Sequence, residues 1–169
     1  MSDLERARRA WARGWAGLSQ AQIDRRARAF SDVVRAIASQ GAVSAERFAE
    51  LVAVDESDAR DAAARLAGLG VQTDDAGRVV GAALTLRETP HRVRLRGRVF
   101  HAWCSLDTLF IPGLLDETAE VESRCAATGD AVRLTVAPDA IRSREPAETW
   151  LSVVLPGDSP PRVGPESPT

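Results

Sequence analysis

Apolar positions in the first third of the chain recur at helical spacing. Leu4, Ala7, Trp11, Trp15 and Leu18 make one stripe, and Ile23, Ala27, Phe30, Val34 and Ile37 make a second. Both have the period of an amphipathic helix. Ser19 followed by Gln22 is a capping-box pattern, in which two side chains satisfy free amides at a helix start, and it places the break between the helices at GLSQ. The stretch GAVSAERFAELVAVDESDARDAAARLAGLG then predicts a short helix capped by Ser44, a turn near Asp55, and a second helix over about 57–69 ended by Gly70. In VQTDDAGRVVGAALTL the pattern shifts to strands over 71–73 and 78–84, around the turn residues 74–77. Helix, turn, helix and hairpin follow one another in the order of a winged helix.

Beyond residue 88 the pattern mixes a short helix after Phe100 with strands in AEVESRCAA, AVRLTVAP and WLSVVLP, the first two joined by the turn TGD. The expected fold class is therefore α+β: a helical, winged-helix-like lobe over 1–87, then a mixed-sheet lobe over 88–155 whose short helix carries a Cys-x-x-Asp motif. Residues 156–169 hold five prolines in fourteen positions and no apolar stripe, so a disordered tail is expected.

Charge narrows the functional classes. A winged helix suggests DNA binding, but the segment 54–66, which would enter the groove, carries four carboxylates against two arginines. An element that must meet phosphates normally carries the opposite sign, so the lobe is expected to be a scaffold. In HRVRLRGRV, Arg92, Arg94, Arg96 and Arg98 alternate with other residues, which predicts one strand with all four arginines on a solvated face. All 22 basic residues are arginine and the formal charge is -2, which argues against a chain that coats nucleic acid or an anionic membrane. No window reaches the roughly 18 apolar residues of a membrane span, and no signal-peptide pattern opens the chain, so a cytoplasmic protein is expected.

Two cysteines make no disulfide framework. Cys104 and Asp107 lie in the apolar run FHAWCSLDTLFIPGLL. On one helix their offset would place both on the same face, where a thiolate can hold a soft metal and a carboxylate with raised pKa can carry a proton. Water-facing placement of Asp107 is the plain alternative. A Cys-His nucleophile would have to use His91 or His101, and no oxyanion-hole signature accompanies either. Trp103, Leu106, Phe110 and Ile111 supply an apolar surround that suits either a hydrophobic ligand or ordinary core packing.

The segments AALTLRETP, HAWCSLDTLFIPGLL, AEVESRCAATGDAVRLTVAP and EPAETWLSVVLP resemble the organomercurial (alkylmercury) lyase family, with similarity from about 44 to 156. The resemblance implies that Cys104 binds mercury as thiolate, that Asp107 delivers a proton to the departing carbon, and that Cys125 is mainly structural, though available as a second thiol. It further implies a substrate pocket at Trp103 and Phe110, no required cofactor, Hg(II) as bound product, and a small external thiol as its acceptor. Family members carry a second catalytic cysteine after the segment matching LSVVLP, where this sequence has its proline-rich tail. Reduced activity is therefore expected, because one thiolate activates the carbon–mercury bond less than two. A non-catalytic mercury-binding or sensing protein and a winged-helix regulator are the alternative functions.

Overall fold

A computed structural model describes residues 17, 19–52 and 71–151. Its first described helix, α1 (Gln20–Gln40), starts where the capping box predicts: the Gln22 amide donates to Ser19 Oγ (3.3 Å), and the Ser19 amide donates to Gln22 Oε1 (2.8 Å). It ends at Gly41, whose φ of 89° suits glycine and whose N–H reaches the Ile37 carbonyl. Helix α2 (Ala45–Val52) begins after Ser44, whose hydroxyl accepts the Arg47 amide at 3.2 Å. The second helix of the anticipated helix-turn-helix, the first apolar stripe and the proline-rich tail all lie outside the described residues.

Eight strands follow: β1 (Gln72–Thr73), β2 (Val79–Ala82), β3 (Leu84–Thr85), β4 (His91–Leu95), β5 (Arg98–Ala102), β6 (Ala119–Arg124), β7 (Ala131–Val136) and β8 (Ile141–Glu145). They form one sheet in the order β1-β2-β3-β5-β4-β6-β7-β8. Every pair is antiparallel, so the expected mixed sheet is corrected to an antiparallel one. Short connections between sequential strands account for this, since parallel neighbours need long crossovers. Pairing of Leu84 with Ala102 and Thr85 with His101 carries the sheet across residue 87. The β1–β2 turn forms on DDAG as predicted, with Asp74 Oδ1 accepting the amides of Ala76 and Arg78 at 3.0 and 2.9 Å.

One predicted strand is two. HRVRLRGRV folds into β4 and β5 around a two-residue turn, Arg96–Gly97, with φ of 46° and 75°. Positive φ at both positions is the hairpin geometry that matches strand twist. Register therefore separates the arginines. Arg92 and Arg94 point to the open face with Glu122 and Glu120, whereas Arg98 pairs with Leu95 and points to the helix-covered face. There Arg98 stacks over the Phe100 ring (5.0 Å to its centroid) and donates to the carbonyls of Ala38 and Ser39 at the end of α1 (2.8 and 2.9 Å).

The core lies between the sheet and the helices α1, α2 and α3 (Asp107–Leu115). Val34, Ile37, Phe48, Val79, Leu84, Val93, Phe100, Ile111 and Val121 are at most 2% exposed within it. On the open face, register places Arg92, Glu122, Arg133 and Glu145 in one row of alternating sign. Opposite charges facing across strands favour this register over its slipped alternatives. A shallow, open concavity lies along that face, lined by Arg92, Glu122, Arg133 and their neighbours.

Candidate active site

Helix α3 does not carry both members of the motif. It starts at Asp107, and Cys104 precedes it in a turn in which the Leu109 amide reaches the Leu106 carbonyl and the Thr108 hydroxyl reaches the Ser105 carbonyl. The two residues still meet, because the Asp107 carboxylate bends back and accepts the Cys104 amide at 2.9 Å. The bond has the three-residue span of a capping box's reach-back half but lies ahead of the helix, whose N-cap is Leu106. It fixes the carboxylate beside the thiol, and Cys104 itself is exposed.

The electrostatics keep protons at this place. Burial raises the Asp107 pKa, opposed by hydrogen bonds from the Cys104 side chain and amide and by the charge of His91. Partial desolvation also raises the Cys104 pKa, and the neighbouring carboxylate adds to the effect. Both shifts favour the protonated forms, and the thiol hydrogen-bonds to the carboxyl group beside it.

His91 also reaches this site, although no local pattern distinguishes it from His101. It opposes Ala102 in the β4–β5 register, so its ring emerges on the helix-covered face, where its Nδ1 lies 3.0 Å from Ser123 Oγ. Burial lowers its pKa and the Asp107 charge opposes that shift. His101 is bound elsewhere: its Nδ1 lies 3.1 Å from the Thr89 amide and 3.0 Å from the Thr89 carbonyl oxygen, and no Cys104–His101 pair is formed.

The apolar surround divides. Ile111 is fully buried and belongs to the core, whereas Leu106 and Trp103 are half-buried and Phe110 is 37% exposed. The Trp103 amide is anchored on the Ala83 carbonyl (3.0 Å), and its buried indole N–H meets no acceptor among the described residues. Phe110 touches Phe30 of α1, with ring centroids 6.4 Å apart. Cys125 sits in the β6–β7 turn, where hydrogen bonds from Thr128 and the Ala127 amide lower its pKa. Among the described residues no three His, Cys, Asp or Glu side chains converge as a metal centre, so Cys125 does not join Cys104 and Asp107 in a three-ligand cluster.

Comparison with known proteins follows the same residues. The alkylmercury lyase family model matches residues 84–163, a span that holds Cys104, Asp107 and Cys125. The chain is 50% identical over 91 residues to an alkylmercury lyase of Pseudomonas putida, which covers 54% of this chain and 43% of that protein. It is 40% identical over 121 residues to one of Streptomyces lividans, which covers 72% of this chain and 55% of that protein. The chain thus spans about half the length of the curated relatives it matches. A crystal structure of the mercury-bound form of MerB2 shares the fold, with a TM-score of 0.65 at 21% identity, over 85% of this chain and 68% of that one. By its segment 84–163 and these relatives, the chain belongs to the alkylmercury lyase family.

Proposed function

We propose that this chain cleaves the carbon–mercury bond of organomercurials by protonolysis, with Cys104 as the mercury ligand and Asp107 as the proton carrier. The observation that supports this most is the thiol held against a half-buried carboxylate, both with raised pKa. Mercury is soft and takes sulfur in preference to oxygen. When R–Hg⁺ binds, an S–Hg bond forms and the thiol proton passes to Asp107. The carboxylic acid then protonates the carbon, the C–Hg bond breaks with its electron pair going to carbon, and RH leaves. Hg(II) stays on the sulfur with the regenerated carboxylate as a weaker second ligand. The cysteine proton ends on the hydrocarbon, so the step balances without a resident cofactor.

An apolar environment serves the carboxylate in two ways. It disfavours ionisation, which makes Asp107 accept the thiol proton and hold it close to the carbon. It also accommodates a hydrophobic organic group, and Trp103 and Phe110 stand on the two sides of the motif to contact one. His91 acts on Asp107 through space and limits how far burial raises its pKa. A small external thiol then takes Hg(II) from Cys104, and a cytoplasmic setting suits a site that depends on reduced sulfur.

Incubation of the protein with phenylmercury in excess small thiol, with benzene measured in the headspace, tests this reading. Benzene formation that rises with thiol concentration is the expected result. Binding of one equivalent with no benzene at any thiol concentration would replace the lyase by a mercury-binding protein.

A further inference from the structure

Ser123 of β6 is 8% exposed, and a hydroxyl taken out of water is unfavourable unless it is hydrogen-bonded. Its partner is the ring of His91, whose Nδ1 lies 3.0 Å from the Oγ. Register fixes where that ring stands. His91 opposes Ala102, which also opposes Leu84, and both apolar neighbours are fully buried. The main chain is held as well: the His91 amide donates to Thr89 Oγ1 at 3.1 Å, and that hydroxyl donates to the Ala102 carbonyl at 2.6 Å. A half-buried imidazole is thus fixed across the sheet from the residue two places ahead of Cys104.

With Nδ1 taken, Nε2 is the nitrogen left to act, and it makes no hydrogen bond among the described residues. The ring and the Asp107 carboxylate act on each other's charge. His91, Cys104 and Asp107 nevertheless do not close into a three-ligand cluster among the described residues, so the ring stands behind the pair and outside a shared ligand set. Burial disfavours its charged form, which keeps the imidazole neutral at neutral pH, and the carboxylate supplies a counter-ion when a proton does arrive. A neutral nitrogen with a counter-ion at hand suits a base that holds a proton briefly.

We propose that His91 is the general base for mercury release, with Nε2 taking the proton of the external thiol that attacks Hg(II) on Cys104, and that Ser123 holds the ring in position for it. This rests on the reading of Cys104 and Asp107 as the mercury site. The sulfur of the first thiol bonds to Hg(II) and displaces the Asp107 carboxylate, its S–H bond breaks, and the proton goes to Nε2. The freed carboxylate faces the imidazolium as that charge forms. A second thiol bonds to Hg(II) and loses its proton to water, the bond from Cys104 to mercury breaks with its electron pair on sulfur, and the Cys104 thiolate takes the proton from Nε2. Mercury stays Hg(II) throughout, departs with two thiolates, and one proton is released to water. His91 and Asp107 end as they began.

The test reads release without the cleavage step. One equivalent of Hg(II) is loaded on Cys125→Ser protein, in which Cys104 is the sole thiol, and protein-bound mercury is measured after rapid mixing with an external thiol at neutral pH. Two acceptors are compared, an alkyl thiol that is protonated at that pH and an arylthiol that is already a thiolate. A positioned general base contributes about 10² to 10⁴ in rate, so His91→Gln should slow transfer to the alkyl thiol by roughly tenfold or more and transfer to the thiolate by less than about twofold. Ser123→Ala, which keeps the imidazole and frees Nδ1, should show a smaller loss with the same selectivity, and it secures the comparison if the glutamine variant unfolds. Equal slowing with both acceptors, as a purely structural role would give, or no slowing with the alkyl thiol, would overturn the proposed base. Hydrocarbon release from phenylmercury is assayed separately; its absence in the parent protein would overturn the lyase reading, and the transfer rates would still decide the role of His91.

Discussion

Replacing Asp107 by asparagine separates the roles assigned to the carboxylate. The amide oxygen can still accept the Cys104 amide that Asp107 accepts at 2.9 Å, so the turn before α3 should persist. What is lost is the charge and the capacity to carry a proton. A positioned general acid contributes about 10² to 10⁴ in rate, and hydrocarbon release should fall by that factor while one equivalent of phenylmercury still binds at Cys104. Stability should change little, within about 1 kcal/mol at neutral pH, because a weaker neutral hydrogen bond is offset by relief from burying a charge.

The pH dependence has a definite sign. The Asp107 pKa is raised in the folded protein above its ordinary value of 3.8, so the folded state holds that proton more tightly than the unfolded chain does. Its contribution to stability is complete below 3.8 and is lost as pH rises through the folded value. The Asn variant lacks that loss, so its melting temperature relative to the parent should rise between pH 4 and neutrality and then level off. Thermal unfolding by circular dichroism across this range, paired with headspace hydrocarbon analysis, reads both effects. Activity within tenfold of the parent would refute the proton-carrier role. A melting temperature depressed at every pH would show that the carboxylate is chiefly a structural cap.

Four further outcomes follow from the same geometry. Cys104→Ser should abolish tight organomercurial binding, and mass spectrometry showing an adduct only on Cys125 would contradict the assignment. Toward a simple alkylating reagent near neutral pH, Cys125 should react faster than Cys104, since hydrogen bonds lower its pKa while partial desolvation and the Asp107 carboxylate raise that of Cys104; rates in the two single-cysteine variants check this. His91 has a lowered pKa, so its contribution to stability is present above its ordinary value of 6.5 and is lost as pH falls through the folded value; His91→Gln should flatten that acid limb in melts from pH 7 to 5. Gly81→Ala should destabilise by about 1–3 kcal/mol in denaturant unfolding, because a Cβ there would meet Thr85 Oγ1 at 2.9 Å and Thr85 Cβ at 3.0 Å across the β2–β3 pair.

Local chemistry was the part of this fold most legible in the sequence. The Ser19–Gln22 box, the Ser44 cap and the DDAG turn each involve residues within four positions of one another, and each forms where expected. HRVRLRGRV misled because strict alternation continues through the turn; the Arg96–Gly97 pair, with glycine at the second position of a two-residue loop, was the available signal. Proximity of Cys104 to Asp107 was anticipated for a reason that proved incomplete. Two side chains on one helix face were expected, and the structure instead has a carboxylate capping a backbone amide. The places of His91 and Phe30 depend on strand register and on helix packing between residues far apart in the chain, which no periodicity encodes.

Seen mechanically, α1 is a rod gripped at one end. Arg98 holds its final carbonyls, Arg35 ties its second half to α3, and its buried residues all lie between Ser31 and Ile37. The turns before Phe30 are mostly exposed and share few such attachments, which makes them the compliant arm of a lever whose pivot is in the core. Amide exchange should accordingly be fast over 20–28 and slow over 33–40. An angular swing too small to disturb the packing of Val34 or Ile37 moves Ile23 furthest.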